Sequence, residues 1–333
     1  MSEVMNTTLG MLNVTTPTHE PCYATSPDKR RVFLYLYMAI IIVGIPCNVF
    51  SLYVSWQHIR QRNDLGVYLF NLALADLLTT TGLSLLVSFM WRGEWHHGEV
   101  MCYLSVILLY SNLYASDGLL CCIAMNRYLA VVHPLKYAAL RRRDTAGVIS
   151  AAIWVLVVTL NSVTVTWVKS GKGNNPVCFQ LLDTEKTSLV NVTRFLLGFL
   201  FPVLMVSFCC RRICAAVRTN RATEEQERRR VFRLLGVVLV TLGLCFGPIH
   251  ILMLFSSLRL RCDGSWYLMY NVSMTMSALN ILADPFLYCF VTRLGKAHVT
   301  QVVHFLKRTK KENSRELVRL NSSPPQTSSL VHE

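Results

Sequence analysis

The sequence predicts an all-α membrane protein, a seven-transmembrane helix bundle followed by a short cytoplasmic amphipathic helix. Three observations predict it. Of the 333 residues 53% are hydrophobic and only 16% charged, seven apolar runs are each long enough to cross a bilayer, and basic residues gather in alternate loops. A hydrocarbon core of roughly 30 Å takes about 20 mostly apolar residues in a helix. A single soluble core would leave much of this apolar surface in water.

Residues 1–31 form a polar tail without the apolar run of about 7–15 residues that a cleaved signal peptide requires, so the first span is expected to serve as signal anchor. Two glycosylation sequons, Asn6-Thr7-Thr8 and Asn13-Val14-Thr15, place that tail outside the cell. The first segment covers residues 32–56. The second, 67–90, carries Asp76 at mid-depth, and the third, 101–132, carries Ser116 and Asp117 there with Arg127 near its inner end. The fourth, 145–168, contains Trp154; the fifth, 189–210, contains Arg194 in its outer part and Pro202. Pro248 and His250 fall in the sixth, 231–258, and Asn280, Asp284 and Pro285 in the seventh, 266–291. Each proline deletes a backbone hydrogen bond and permits a bend. The transmembrane domain thus runs over 32–291. Residues 292–306, with Leu294, Val302, Val303 and Phe305 as apolar positions, predict a helix lying on the inner leaflet. Residues 307–333 read as a disordered cytoplasmic tail holding Ser314, Ser322, Ser323, Thr327, Ser328 and Ser329.

Orientation follows from Lys and Arg, which resist translocation. The loops after segments 1, 3 and 5 hold thirteen of them: Arg60 and Arg62; Lys136 and Arg141 to Arg143; Arg211, Arg212, Arg218, Arg221 and Arg228 to Arg230. The alternate loops hold six, namely Arg92, Lys169, Lys172, Lys186, Arg259 and Arg261. The first set is cytoplasmic. The net charge of +14 therefore reads as membrane topology and not as nucleic-acid binding.

Of the 12 cysteines, Cys47, Cys121, Cys122, Cys209, Cys210, Cys214, Cys245 and Cys289 lie in apolar or cytoplasmic stretches and behave as small hydrophobes. Cys22, Cys102, Cys178 and Cys262 remain outside. Cys102 at the outer end of segment 3 is paired with Cys178 in the second outer loop, and Cys22 with Cys262. No CxxC or HExxH spacing marks a metal site, and no nucleophile, base and orienter recur where they would meet in a pocket. Paired inverted repeats of a transporter are absent from the hydropathy pattern.

Ionisable groups inside a bilayer are costly and mark function. Asp76, Ser116, Asp117, Asn280 and Asp284 lie at similar depth, with Asn280 and Asp284 one turn apart. Such carboxylates with hydroxyl and amide oxygens could hold a sodium ion, could share protons, or could be a network that joins helices. His97 and His250 are candidate titrating groups, since histidine has a reference pKa of about 6.5. Arg194 could bind a carboxylate or phosphate head group, or could neutralise Asp183 or Glu185 in the outer loop.

Several stretches resemble landmarks of the rhodopsin-class G-protein-coupled receptors, in order along the chain. They are Gly44-Ile45-Pro46-Cys47-Asn48, Asn71-Leu72-Ala73-Leu74-Ala75-Asp76, Met125-Asn126-Arg127-Tyr128, Trp154, Pro202, Cys245-Phe246-Gly247-Pro248 and Asp284-Pro285-Phe286-Leu287-Tyr288. The spacing agrees, because Cys102 and Arg127 are separated by about 37 Å of helix and so fall at opposite membrane faces. Within the class, Arg62-Asn63-Asp64-Leu65-Gly66-Val67-Tyr68-Leu69, Leu120-Cys121-Cys122-Ile123-Ala124 and Gly247-Pro248-Ile249-His250 are most similar to the proton-sensing, lysolipid-related subgroup.

The resemblance implies a plasma-membrane receptor with its N-terminus outside. Protons or a small anionic lipid ligand would be sensed by His97, His250, Arg194, Phe246 and Asp117. Asn126, Arg127, Tyr128 and Tyr288 would form the switch toward a heterotrimeric G protein. Arrestin, receptor kinases and membrane lipids are the further partners, a bound sodium ion is the one candidate cofactor, and no catalysis is implied. The chain also departs from the subgroup. Val157 stands where a helix 4 glutamate is usual, Asp117 is an additional buried acid, and Asn126 replaces the aspartate beside Arg127. The last change predicts appreciable ligand-free signalling that Asn126→Asp reduces.

Overall fold

The computed structural model describes residues 27–135, 137, 143–169, 178, 185–219, 225–258 and 264–291. Asn6, Asn13, Cys22, Asp183, Cys262, the expected amphipathic helix at 292–306 and the tail lie outside the described residues, as do the side chains of Glu185 and Tyr288.

Among the described residues the elements are helical. They are α1 (Pro27–Arg60), α2 (Asp64–Arg92), α3 (Gly98–Val132), α4 (Arg143–Lys169), α5 (Glu185–Phe195), α6 (Phe201–Thr219), α7 (Glu225–Val240), α8 (Gly247–Leu258), α9 (Gly264–Ala278) and α10 (Asn280–Val291). A π turn at Leu196–Leu200 joins α5 to α6, and a second at Thr241–Phe246 joins α7 to α8. Among the described residues six spans are long and apolar enough to cross a membrane, from Arg30–Arg60 to Val231–Ser257. Helices overrun the segments read from hydropathy because apolar runs mark only the hydrocarbon-buried part, while interfacial turns carry charged residues whose heads reach water.

The seventh segment, read from the sequence as 266–291, is interrupted. It is divided at Leu279 into α9 and α10, neither of which reaches the length of the other six spans. A compensating contact follows from the proline in α10. Pro285 has no N–H to give the carbonyl of Ile281, four residues earlier. Asn48 of α1 supplies that donor through Nδ2 at 2.8 Å, while also donating to its own Gly44 carbonyl at 3.1 Å. Such a close approach needs glycine at position 44, where an added Cβ would stand 2.5 Å from Ile281 Cγ2.

The other two helix-bending prolines have a different solution. Each is preceded by a π turn, whose wider ring carries the chain past the carbonyl that the proline ring would strike. The Phe201 N–H bonds Leu196 O ahead of Pro202, and the Gly247 N–H bonds Leu242 O ahead of Pro248. The first bulge carries Gly198 and Phe199, which pack against Tyr114 and His250.

A large apolar cluster runs through the bundle, including Leu69, Leu120, Ile213, Val238 and Phe246, and a smaller one joins α1, α2 and the seventh span around Tyr37, Leu83 and Ile281. Polar clasps join helices between them. Trp154 of α4 donates its indole N–H to Asn71 Oδ1 of α2 at 3.0 Å. Outward faces are apolar and exposed, as at Val155, Leu156 and Val163 on α4 and Leu197, Phe201 and Leu204 on the fifth span, which is the arrangement of helices solvated by lipid.

Candidate functional site

Four of the candidates from the sequence meet at mid-depth. Asp76, Ser116, Asn280 and Asp284 are each fully buried, and Asp117 is 1% exposed. Asn280 Nδ2 donates to Asp284 Oδ2 at 2.9 Å and to Asp76 Oδ1 at 3.4 Å. Ser116 donates to Asn112 Oδ1 at 3.2 Å, and Asn112 lies close to the Asp76 carboxylate. Asn112 escaped the sequence reading, although it sits one turn before Ser116 on the same face of α3, a spacing that pointed to it.

Acceptors outnumber donors here. Asp76 Oδ2, Asn280 Oδ1, Asp284 Oδ1 and both oxygens of Asp117 are buried without a hydrogen-bond partner, and Asp117 lies within electrostatic range of Asp284. Buried oxygens of this kind take up a proton or a cation, since leaving them bare costs several kcal/mol at about the scale of polar-group burial. The donor set of two carboxylates, two amides and a hydroxyl suits a hard cation such as sodium. Among the described residues, however, no group of three or more His, Cys, Asp or Glu is placed to hold a metal ion.

Toward the outer face, the fifth and sixth spans build a second constellation. The Arg194 guanidinium lies 4.6 Å from the Tyr110 ring centre and 5.7 Å from that of Tyr114, and its Nη2 donates to Asn161 Oδ1 at 3.2 Å. Tyr110 lies within electrostatic range of Tyr270 of α9. Asn161 itself donates to the carbonyl of Val157 at 3.0 Å and to Ser111 Oγ at 3.5 Å. Where an acid was expected at buried Val157, a polar group therefore enters one turn later. Tyr110, Tyr114, Asn161 and Tyr270 carried no signal in the sequence beyond being polar residues in apolar helices.

His250 is fully buried. Its Nδ1–H donates to the Phe246 carbonyl at 2.9 Å, leaving Nε2 as an acceptor with no partner. Phe199 stacks on the imidazole at 5.4 Å and 19°, and Tyr114 meets it edge-on at 5.7 Å. Position 198 must be glycine for this contact. A Cβ there would stand 2.5 Å from Tyr114 Cε1 and 3.4 Å from His250 Nε2. Phe246 is fully buried directly beneath.

His97, the other candidate titrating histidine, does not join this group. It is the residue before α3, exposed, 2.9 Å from Ser88 Oγ through Nε2 and edge-on to Trp95 at 5.2 Å. Nearby, Cys102 and Cys178 form a disulfide across 5.6 Å of Cα separation. The pairing of Cys22 with Cys262 lies outside the described residues.

At the cytoplasmic end, half-buried Tyr128 reaches His133 at 3.1 Å and packs on Phe208 at 5.7 Å. Asn126, 9% exposed, has an acidic neighbour that the sequence did not indicate. Its Nδ2 donates to Asp64 Oδ2 at 2.6 Å, and the Tyr137 hydroxyl reaches the same carboxylate at 3.1 Å. The sequence predicted that Asn126→Asp reduces ligand-free signalling; with an acid of α2 already on the amide, that substitution instead sets two carboxylates against each other.

Comparison with known proteins gives consistent matches. The family described as 7 transmembrane receptor (rhodopsin family) matches residues 47–288. G-protein coupled receptor 65 of Homo sapiens is 35% identical over 292 residues, spanning 82% of this chain and 87% of that protein. G-protein coupled receptor 68 of Bos taurus is 36% identical over 264 residues, 77% of this chain and 73% of that one. Lysophosphatidic acid receptor 6 of Gallus gallus is 26% identical over 287 residues, 81% and 93% respectively.

Proposed function

The chain belongs to the rhodopsin family of seven-transmembrane receptors, and on that footing we propose that the signal it transduces is extracellular acidity. It is a multi-pass membrane receptor that acts through G proteins. The observation that carries the proton reading is the set of orphaned acceptors along the bundle axis: Asp76, Asn280, Asp284 and Asp117 at mid-depth, and His250 Nε2 above them. Protonation converts a carboxylate oxygen from a bare acceptor into a donor, so it supplies the hydrogen bond that these groups lack. A proton on His250 Nε2 adds positive charge beside Tyr114 and below Arg194, and His97 offers an accessible site at the outer surface. The buried groups and the helices that bear them are thereby biased together toward one arrangement of the sixth span.

A sodium ion fits the same place. Asp76, Asn112, Ser116, Asn280 and Asp284 would hold it, its positive charge would substitute for protons, and its release on protonation would make the two occupants compete. The cytoplasmic switch comprises Asn126, Arg127, Tyr128 and Tyr288. Receptor kinases and arrestin act on the serine-rich tail, and the receptor resides in the plasma membrane with its N-terminus outside.

A second reading has its own observation. Among the described residues Arg194 is held by aromatic faces and an amide, with no carboxylate on it, which leaves a cation for an anionic lipid head group. The name of the chicken relative, lysophosphatidic acid receptor, points the same way. Second-messenger output in cells expressing the receptor, stepped from about pH 8 to 6 around the histidine reference value, separates the two. The proton reading expects output to rise with acid in lipid-free medium. Output that follows added lysophosphatidic acid and ignores pH supports the lipid reading instead.

A further inference from the structure

Asp64 opens α2, directly after Asn63, whose side chain caps the helix by accepting the Leu65 N–H at 3.1 Å. Although it lies at the cytoplasmic edge, its residue is only 5% exposed. Contacts from two other elements converge on the carboxylate. Asn126 Nδ2 of α3 donates to Oδ2 at 2.6 Å, and the Tyr137 hydroxyl lies 3.1 Å from Oδ2 and 3.3 Å from Oδ1. The Tyr137 hydroxyl is also 3.4 Å from Asn126 Oδ1, so the phenol, the amide and the acid close a triangle. Tyr137 belongs to the loop after α3, and its backbone N–H bonds His133 O at 2.9 Å.

Each corner of the triangle belongs to a different part of the inner face. Asp64 lies on α2, Asn126 on the turn of α3 that carries Arg127, and Tyr137 in the second intracellular loop. The same end of the bundle is closed, with α7, the inner half of the sixth span, packed on α3, α6 and α10. The amide of Asn126 has both its functions used, Nδ2 toward the acid and Oδ1 toward the phenol, which an aspartate at 126 could not reproduce against a second carboxylate.

We infer that Asp64 is the positioning residue of the coupling face: its carboxylate, delivered from α2, holds the second intracellular loop and the inner end of α3 in their resting place through Tyr137 and Asn126. The role rests on the G-protein receptor reading above. The acid that the family motif carries beside the arginine stands here across a helix interface, and the amide has taken its place. A charge-assisted hydrogen bond from an amide to a buried carboxylate is short and directional, as the 2.6 Å contact is. Its loss frees two elements at once.

The test is ligand-free nucleotide exchange on purified G protein, driven by full-length receptor in membranes at pH 8, normalised to receptor at the surface. Asp64→Asn, which leaves two amides facing each other, is expected to raise exchange at least threefold. Asn126→Asp, which sets two carboxylates against each other, is expected to raise it by as much. The exchange of the pair, Asp64→Asn with Asn126→Asp, restores one acid and one amide and should return within twofold of wild type. Tyr137→Phe removes a hydroxyl alone and should raise exchange by a smaller factor. Single variants at the wild-type rate, or a swap no nearer wild type than the worse single, overturn the inference. Should Asp64→Asn fail to reach the surface, an unchanged rate for Tyr137→Phe still overturns it. A wild-type receptor that drives no exchange at any pH, with or without lysophosphatidic acid, defeats the receptor reading and not this one.

Discussion

Asn48→Leu removes the side chain that serves the Ile281 carbonyl, and its effect can be worked out from two distances and a proline. Asn48 Nδ2 is 2.8 Å from that oxygen. Pro285 has no N–H to offer in its place, and the surroundings are apolar, with Ile281 fully buried. The Gly44 carbonyl, the other acceptor of Asn48, keeps its helical partner whatever stands at 48. The loss is therefore one unpaired buried carbonyl, about 1–3 kcal/mol, lowering Tm by about 2–4 °C per kcal/mol, the scale of domains of 150–250 residues. Pro285→Ala supplies an N–H four residues after Ile281, so in that background the same Asn48→Leu change should cost less than half as much. The non-additivity, about 1 kcal/mol or more, is the signature of a shared carbonyl. Thermal unfolding of the detergent-purified receptor, read by a thiol-reactive dye on buried Cys121 and Cys209, measures all four proteins. Equal losses in the wild-type and Pro285→Ala backgrounds would refute the reasoning, since Asn48 would then be acting elsewhere.

Gly198→Ala should displace the Tyr114 ring by about 1 Å and destabilise the receptor by about 1–3 kcal/mol, the range for overpacking; the same thermal assay checks it, and Gly236→Ala, where an added Cβ meets nothing, is the control that should stay within about 0.5 kcal/mol. His97→Phe with His250→Phe should shift the midpoint of acid-evoked signalling or abolish it, and the single variants should differ, because one ring is exposed and the other buried. An unchanged curve for a well-expressed double variant leaves the carboxylates as the sensing groups. Reduction of Cys102–Cys178, or Cys178→Ser, should lower the Tm and surface expression; non-reducing peptide mapping that finds both thiols free would contradict the bridge.

The polar pattern was legible in the sequence wherever burial alone is informative. A charged or amide residue in the middle of an apolar run has to meet a partner, so Asp76, Ser116, Asn280 and Asp284 could be grouped by depth before any helix was placed. Asp117 was found by the same rule. His97 and His250 were named together for their shared side-chain chemistry, and only packing shows that one faces water and the other Tyr114 and Phe199. Asp64 was missed because an acid at a helix start next to a loop reads as an ordinary solvated cap, and only packing against Asn126 and Tyr137 buries it.

Composition alone determined the class of the protein, a bundle of membrane-spanning helices, because transfer into hydrocarbon is additive along the chain and needs no knowledge of neighbours. Tertiary structure decided what depends on approach between helices. It divided the seventh span at Leu279, assigned Asn48 to the carbonyl that Pro285 leaves bare, and widened the fifth and sixth spans into π turns before Pro202 and Pro248. It also brought the acid of α2 to the amide of α3. Each of these is a pairing of a backbone or side-chain group with one from a distant segment, and hydrogen bonds are satisfied at about 3 Å, a distance that only the packed bundle specifies.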